Sequence, residues 1–151
     1  MKKLFGLFLL VPSLAIAQPI SIDPTSLAWK NTRDAQIISN VTVGISIGLD
    51  TWDSFHSSDR KRALIKQGER TLILFGTAEL TKRITHRTRP DGSDDLSFFS
   101  EHTGFAAMNR RWEIQVPMAV GTGYLRIAAN KHYLTDVIVG GFVGSLISRI
   151  R

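Results

Sequence analysis

The stretch RKRALIKQGERTLILFGTAELTK, residues 60–82, decides the fold because it predicts one long helix. Three candidate N-caps, Ser57, Ser58 and Asp59, precede it, and no proline interrupts it. Its apolar residues recur at helical spacing along one stripe and beside it, namely Leu64, Gly68, Leu72 and Phe75, with Ile65, Ile73, Gly76 and Leu80. Such a helix is roughly 35 Å long at about 1.5 Å per residue. Its apolar run, residues 71–80, has the length of a buried core helix.

The segment before this helix, residues 35–49, fits two periodicities. Its apolar residues alternate as in a strand, and Ile37, Val41, Ile45 and Leu49 also repeat every four residues as in a helix. Gly44 and Gly48 would weaken a strand and suit close helix packing. The pattern therefore favours a helix by a small margin.

Three further helices are predicted after the loop PDGSDD, residues 90–95. A short one covers residues 100–110, a second begins near Pro117 and ends near Ala129, and the last covers residues 133–148. In the last helix the predicted buried residues are Val137, Ile138, Phe142, Leu146 and Ile147, and the predicted sites of close helix approach are Gly140, Gly141 and Gly144. These segments together predict an all-α fold, a compact helical bundle.

The first 17 residues have the three parts of a secretory signal peptide. Lys2 and Lys3 form a basic start, an apolar run follows, and Ala15-Ile16-Ala17 is a small-x-small cleavage site. We therefore expect residues 1–17 to be a signal peptide, 18–34 a polar lead-in segment, and 35–151 the helical domain of an exported, periplasmic or secreted protein. The alternative is an uncleaved N-terminal membrane anchor, although the apolar run is shorter than the ~20 residues that span a bilayer.

The composition limits the chemistry. The 151 residues include no cysteine, which excludes disulfides, thiolate nucleophiles, zinc ribbons and iron–sulfur clusters. Apolar residues make up 43% and charged residues 21%, as in an ordinary globular domain. The net charge of +6 falls to +4 when Lys2 and Lys3 are removed. A polyanion, an anionic surface or a phosphorylated substrate would suit this charge.

Charged and histidine side chains concentrate near predicted helix ends. Residues 82–90, KRITHRTRP, are either a solvated basic helix end or a nucleic-acid patch, and the second is disfavoured because no aromatic residues interleave the run. Arg126 closes the fourth predicted helix. His132 precedes the fifth, and Asp136 follows four residues later on the same helix face, where it could orient the imidazole. His56 and His86 are interpreted as surface residues.

These residues resemble the motifs of the type 2 phosphatidic acid phosphatase and vanadium haloperoxidase superfamily. Residues 82–90 match the pattern KxxxxxxRP, residues 99–102 (FSEH) stand where the family has PSGH, and residues 125–136 match SRxxxxxHxxxD except at the first position. The three motifs occur in the family's order within 55 residues. The resemblance covers most of the chain from the long helix onward.

The resemblance implies a helical bundle whose clustered helix ends form one phosphate pocket. The residues that would bind the phosphoryl oxygens are Lys82, Arg89, Ser100 and Arg126. His132 would attack phosphorus, Asp136 would hold His132 in the required tautomer, and His102 would protonate the leaving group. The implied activity is that of an acid phosphatase or phosphatidic acid phosphatase-like hydrolase. No metal or cofactor is implied, and the partner is a phosphate ester, either soluble or a lipid at a membrane surface.

Three positions depart from the family motifs. Phe99 replaces proline, Leu125 replaces serine, and Glu101 replaces a glycine whose backbone N–H faces the phosphate in the family. Glu101 adds a carboxylate where an anion would bind, and Arg83 or Arg87 is its expected partner. Two alternatives to the phosphatase therefore stay open: a degenerate protein that binds phosphate without hydrolysis, and a vanadate-dependent haloperoxidase.

Overall fold

The chain folds as a bundle of α-helices. A computed structural model describes residues 18–23, 27, 29 and 31–150, and these contain five helices and no strand. The helices are α1 (Thr32–Phe55), α2 (Arg60–Thr85), α3 (Glu101–Ala106), α4 (Trp112–Ala128) and α5 (Leu134–Ser148). The predicted all-α class is confirmed. In the described part of the chain, no helix combines the length and the apolar character needed to cross a membrane.

The short helix α3 lies at the centre of the bundle. It contacts all four long helices, which surround it in the order α1, α4, α5 and α2. The approach of α5 to α3 depends on glycine, because a Cβ at Gly144 would overlap the Gly104 carbonyl and one at Gly140 would overlap the Ser100 carbonyl. The predicted close approach at these two glycines is confirmed.

The first two helices are defined by their caps. The Asn31 side chain accepts hydrogen bonds from the backbone N–H groups of the first turn of α1. Residues 35–49 lie inside α1, so the helical interpretation is confirmed. Asp59 caps α2 by accepting from the Arg62 amide at 3.1 Å, and His86, in the left-handed conformation, caps the other end of α2.

Two helix boundaries differ from the prediction. Helix α4 begins at Trp112, five residues before Pro117, and a turn in which the Asn109 side chain accepts from the Arg111 amide at 2.9 Å precedes it. Pro117 is tolerated inside the helix because it is exposed. Proline has no N–H, and the carbonyl that loses this donor faces water on the same side. Helix α3 ends at Ala106, which makes it shorter than predicted.

The core differs from the predicted apolar stripes. Its buried residues are Leu74, Ala78, Phe98, Phe99, Met108, Val139, Val143 and Ile147. Of the predicted core residues, Ile147 is buried, but Leu72 is 72% exposed, and Phe75, Ile138 and Phe142 are exposed as well. A Cβ at Gly44 or Gly48 would meet nothing within 4 Å, so these glycines mediate no close packing. Many large apolar side chains on these helices therefore face outward, and small or polar residues fill part of the inside.

Candidate functional site

The predicted site residues come together at one end of the bundle. They are contributed by the ends of α2 and α4, by the start of α3, and by the loops that follow α2 and precede α5. The guanidinium groups of Arg89 and Arg126 both reach the Nε2 atom of His132, at 3.5 and 3.3 Å. Lys82 joins them electrostatically, since its charge acts on His102 together with those of the two arginines.

His132 lies at the bottom of the site and is 3% exposed. Its Nδ1 is 2.8 Å from the Ser97 carbonyl oxygen, which can only accept, so Nδ1 carries the proton. Burial lowers the pKa of His132 well below 6.5, and the charges of Arg126 and Arg89 lower it further. The ring is therefore neutral at pH 7, and its Nε2 lone pair points toward the two arginines.

Asp136 holds this arrangement through Ser97. Its Oδ2 is 3.9 Å from the Nδ1 of His132, too far for a hydrogen bond, so Asp136 does not orient the ring by a direct hydrogen bond. Oδ2 instead accepts from the Ser97 hydroxyl at 2.5 Å and from the Tyr133 amide at 3.1 Å. Burial raises the pKa of Asp136, and the hydrogen bonds from Ser97 and Tyr133 oppose that rise. Ser97 therefore connects the two residues: its hydroxyl donates to the Asp136 carboxylate, and its carbonyl accepts from the His132 imidazole.

Arg87 is part of the site because it pairs with Asp136, which the motifs did not indicate. Its Nη1 donates to Oδ1 of Asp136 at 2.7 Å, and its guanidinium lies 4.6 Å from the centre of the Phe98 ring. Within the basic run, spacing alone did not distinguish it from its neighbours. Arg87 supplies the positive charge that a buried carboxylate requires.

The two arginines at His132 are held differently. Arg89 donates from Nε to Asp94 at 2.6 Å and from Nη1 to the Lys131 carbonyl at 3.3 Å. Arg126 is buried, and its Nη1 lies 3.4 Å from the Ser39 hydroxyl. Its Nε has no hydrogen-bond partner among the residues that the structure describes. Burial lowers the pKa of Arg126 to about 10, with a contribution from Arg89, so the group stays charged at pH 7.

Lys82 is occupied by two carboxylates. Its Nζ lies 2.7 Å from Oε2 of Glu101 and 3.0 Å from Oε1 of Glu79. The expectation that Glu101 pairs with Arg83 or Arg87 is therefore wrong. Helix α3 begins at Glu101 and α2 passes alongside it, so the lysine of the first motif is the cation within reach.

His102 lies at the rim of the site, one residue into α3. Its Nε2 donates to Oδ1 of Asn40 at 2.9 Å. Burial lowers the pKa of His102 to about 4, and the charges of Arg126, Lys82 and Arg89 contribute to the shift. Asn40 comes from α1, 62 residues away in sequence, and no motif or spacing in the sequence indicated it.

Ser100 caps α3 and is fully buried. Its hydroxyl is 3.0 Å from the Thr103 hydroxyl and accepts from the Thr103 amide at 3.4 Å. Its amide donates to the Asp136 carbonyl at 3.0 Å, which joins the start of α3 to α5. The predicted role of this hydroxyl in binding phosphate stays a prediction. His56 and His86 are exposed, as expected of surface residues.

A cavity of about 300 Å³ opens beside His132. Its walls come from the lead-in segment, from Pro90, and from the turn between α4 and α5: Ser21, Ile22, Asp23, Pro90, Ile127, Asn130, His132 and Tyr133. The lead-in segment is held there because the Leu134 amide donates to the Ile20 carbonyl at 3.0 Å. The cavity is large enough for a small ligand.

In the described ranges, no group of three or more His, Asp or Glu side chains is placed to hold a metal ion. Comparison of the chain with protein-family models, curated proteins and solved structures found no match.

Proposed function

We propose that the chain is a metal-independent phosphatase that hydrolyses phosphomonoesters or lipid phosphates and pyrophosphates through a phosphohistidine at His132. The observation that carries the proposal is the state of this imidazole. Its proton is held on Nδ1 by a backbone carbonyl, and its Nε2 lone pair faces two guanidinium groups. A neutral imidazole beside fixed cations is the arrangement that attack on a phosphoryl group requires.

In the first step the Nε2 of His132 forms a bond to phosphorus while the bond from phosphorus to the leaving oxygen breaks. Charge on the three equatorial oxygens is met by Arg89, Arg126 and Lys82, which makes a divalent ion unnecessary. The unpartnered Nε of Arg126 would donate to one of these oxygens. Water then attacks phosphorus, the bond to His132 breaks, and inorganic phosphate leaves.

His102 is proposed to protonate the leaving oxygen in the first step and to accept a proton from water in the second. Without a ligand its pKa of about 4 keeps it neutral at pH 7. A phosphate dianion bound among the three cations would offset their charges and raise this pKa toward the working range. The site therefore becomes competent for acid catalysis when it holds its substrate, and acidic conditions favour it further.

A second candidate is a protein that binds phosphate without turnover. The ion pair between Glu101 and Lys82 favours it, since a phosphate would have to share Lys82 with this carboxylate or displace the carboxylate.

Predicted export, and membrane association through an uncleaved N-terminal segment, concern residues 1–17, which lie outside the described residues. The vanadate-dependent haloperoxidase has no separate support in the site, and nucleic acid is not a proposed partner.

The test is the hydrolysis of an aryl phosphate by the full chain in excess chelator, followed by acid-free trapping of the phosphoenzyme. We expect turnover in the chelator, inhibition by vanadate, and label on His132. His132→Ala should lose both turnover and label, while the control His56→Ala, which changes an exposed histidine, should keep them. Phosphate binding without turnover in the unsubstituted chain would favour the second candidate. Label on another residue, or activity that a divalent ion alone restores, would contradict the proposed mechanism.

A further inference from the structure

The two histidines of the site are held in opposite tautomers. His132 donates from Nδ1 to the Ser97 carbonyl, which leaves its Nε2 without a proton. In His102 the proton is on Nε2, because this atom lies 2.9 Å from Oδ1 of Asn40, which can only accept. Among the described residues this is the one hydrogen bond of the His102 ring, so Nδ1 is the ring nitrogen that stays available for proton transfer.

The position of Asn40 is fixed by contacts of α1 with the helices beside it. The Thr42 hydroxyl lies 2.9 Å from the Thr122 hydroxyl on α4. The Ser46 hydroxyl donates to the Ala106 carbonyl of α3 at 3.3 Å. Both contacts lie within two turns of Asn40 and set the register of α1 against its neighbours. The amide of Asn40 therefore reaches the site from a helix that is held in place, which positions a side chain more precisely than a loop does.

The residue before Asn40 contacts Arg126, a proposed ligand of the phosphate. Ser39 is fully buried, and its hydroxyl donates to the Gln36 carbonyl at 2.7 Å. Its oxygen can therefore accept from Nη1 of Arg126, which lies 3.4 Å away. Two consecutive residues of α1 thus contact two functional groups of the site, the proposed acid and a proposed phosphate ligand.

The partner that α1 provides for His102 is neutral, whereas other elements surround the ring with charges. The charges that act on the ring are those of Arg126 on α4, Lys82 on α2 and Arg89 in the loop after α2. Glu101, the residue before His102, is paired with Lys82. A carboxylate in place of the Asn40 amide would stabilise the imidazolium and keep the ring charged without a substrate. The amide accepts the Nε2 proton, and the phosphate that binds among the cations then sets the charge of the ring.

We propose that Asn40 is a positioning residue for acid catalysis, which holds one proton on Nε2 of His102 so that Nδ1 exchanges the other with the substrate. This inference rests on the proposed phosphatase function. In the first step the Nδ1 proton of the imidazolium passes to the leaving oxygen while the bond from phosphorus to that oxygen breaks. In the second step Nδ1 takes a proton from the attacking water. The hydrogen bond from Nε2 to Asn40 is kept in both steps.

The first measurement is an NMR titration of the full chain with isotope-labelled histidine, in which His102→Gln assigns the signal. In the unsubstituted chain we expect a neutral ring protonated on Nε2, with a pKa of about 4. Asn40→Asp keeps the acceptor and adds a negative charge, so the pKa of His102 should rise by about one to two units. Gln36→Glu is the matched control, because it makes the same amide-to-carboxylate change at an exposed position one turn earlier in α1. It should raise the pKa of His102 by less than about half a unit, since water screens its charge.

The second measurement compares an alkyl phosphate, which has a poor leaving group, with an aryl phosphate, whose leaving group needs little protonation. Asn40→Ala removes the acceptor at an exposed position and leaves the packed interior intact. We expect kcat to fall about tenfold or more for the alkyl ester and about twofold or less for the aryl ester, with little change in KM. Asn40→Asp should keep the ratio of the two kcat values. It should also move the alkaline limb of the kcat/KM profile to higher pH by the shift that NMR measures.

The two measurements separate failure of this inference from failure of the proposed function. An unchanged pKa of His102 in Asn40→Asp would overturn the role of Asn40 even in an active phosphatase. Equal loss of both activities in Asn40→Ala would do the same, because it would show a structural role alone. A ring of His102 protonated on Nδ1 in the unsubstituted chain would also contradict the inference. If the chain hydrolyses no phosphate ester, the acid role is lost with the phosphatase, and the NMR titration alone decides whether Asn40 holds the Nε2 proton.

Discussion

Removal of the negative charge of Glu101 should tighten the binding of phosphate. In the structure this carboxylate lies 2.7 Å from the Nζ of Lys82, the lysine of the first motif. A bound phosphate oxygen would need the same ammonium group. Glu101→Gln removes the charge and keeps the shape of the side chain, and Glu79 remains 3.0 Å from Lys82, so the lysine is not left unpaired.

The size of the effect follows from the distances. Two anions that share one ammonium group lie about 5 Å apart, and at an effective dielectric of 20 they repel by about 3 kcal/mol. The Glu101 side chain is 18% exposed, so water screens it only in part. We expect between a third and two thirds of the full repulsion, about 1–2 kcal/mol, which corresponds to a dissociation constant roughly 5 to 30 times lower.

Calorimetric titration with inorganic phosphate at two ionic strengths measures this effect without requiring turnover. The gain of Glu101→Gln should be larger at low salt, because salt screens the repulsion between partly exposed charges. Glu69→Gln is the matched control, since it removes one negative charge from an exposed pair with Lys66 on α2. If Glu101→Gln binds phosphate no better than the unsubstituted chain at either salt concentration, Glu101 does not compete with the ligand.

Three other predictions concern stability. Gly144→Ala should lower the free energy of unfolding by about 1–3 kcal/mol in denaturant titrations, because its Cβ would overlap a backbone carbonyl of α3. Gly76→Ala, with nothing within 4 Å of its Cβ, should raise it by about 0.5–1 kcal/mol. Below pH 6.5 the stability should fall with pH, since His102 and His132 have lowered pKa values in the fold and the unfolded chain binds more protons. The slope is up to about 1.4 kcal/mol per pH unit for each proton, and His102→Gln should make it shallower.

Local signals in the sequence were sufficient to predict the helices. Asp59 and the proline-free run after it located α2, and the loop at residues 90–95 separated it from the later helices. Pro117 misplaced the start of α4, because proline favours the first turn only as a tendency and the helix begins earlier, directly after the turn at Asn109. Such boundaries depend on side-chain contacts that helix propensities do not include.

The orientation of the helices could not be predicted in the same way. Large apolar residues at helical spacing are expected to face inward, and for that reason Leu72 and Phe142 were placed toward the core, but both are exposed. In the structure Gly104, Gly140 and Gly144 bring α3 and α5 so close that little room is left for large side chains between them. Small residues therefore determine which helix face lies inside. A prediction from hydropathy alone would place these faces outside, because their residues are less hydrophobic than the large apolar ones.

The clustering of the candidate site residues was more predictable than the core, because the motifs place charged and histidine side chains at helix ends. The spacing of four residues placed His132 and Asp136 on the same helix face. It predicted that the two residues lie close together, but not which atom forms a hydrogen bond with which. The atoms that complete the site, the Ser97 carbonyl and the Arg87 guanidinium, come from the segment that follows α2. That segment places a carbonyl between the carboxylate and the imidazole. The charge of Asp136 is thus neutralised by Arg87, and the Ser97 carbonyl keeps the proton of His132 on Nδ1 and leaves its Nε2 unprotonated.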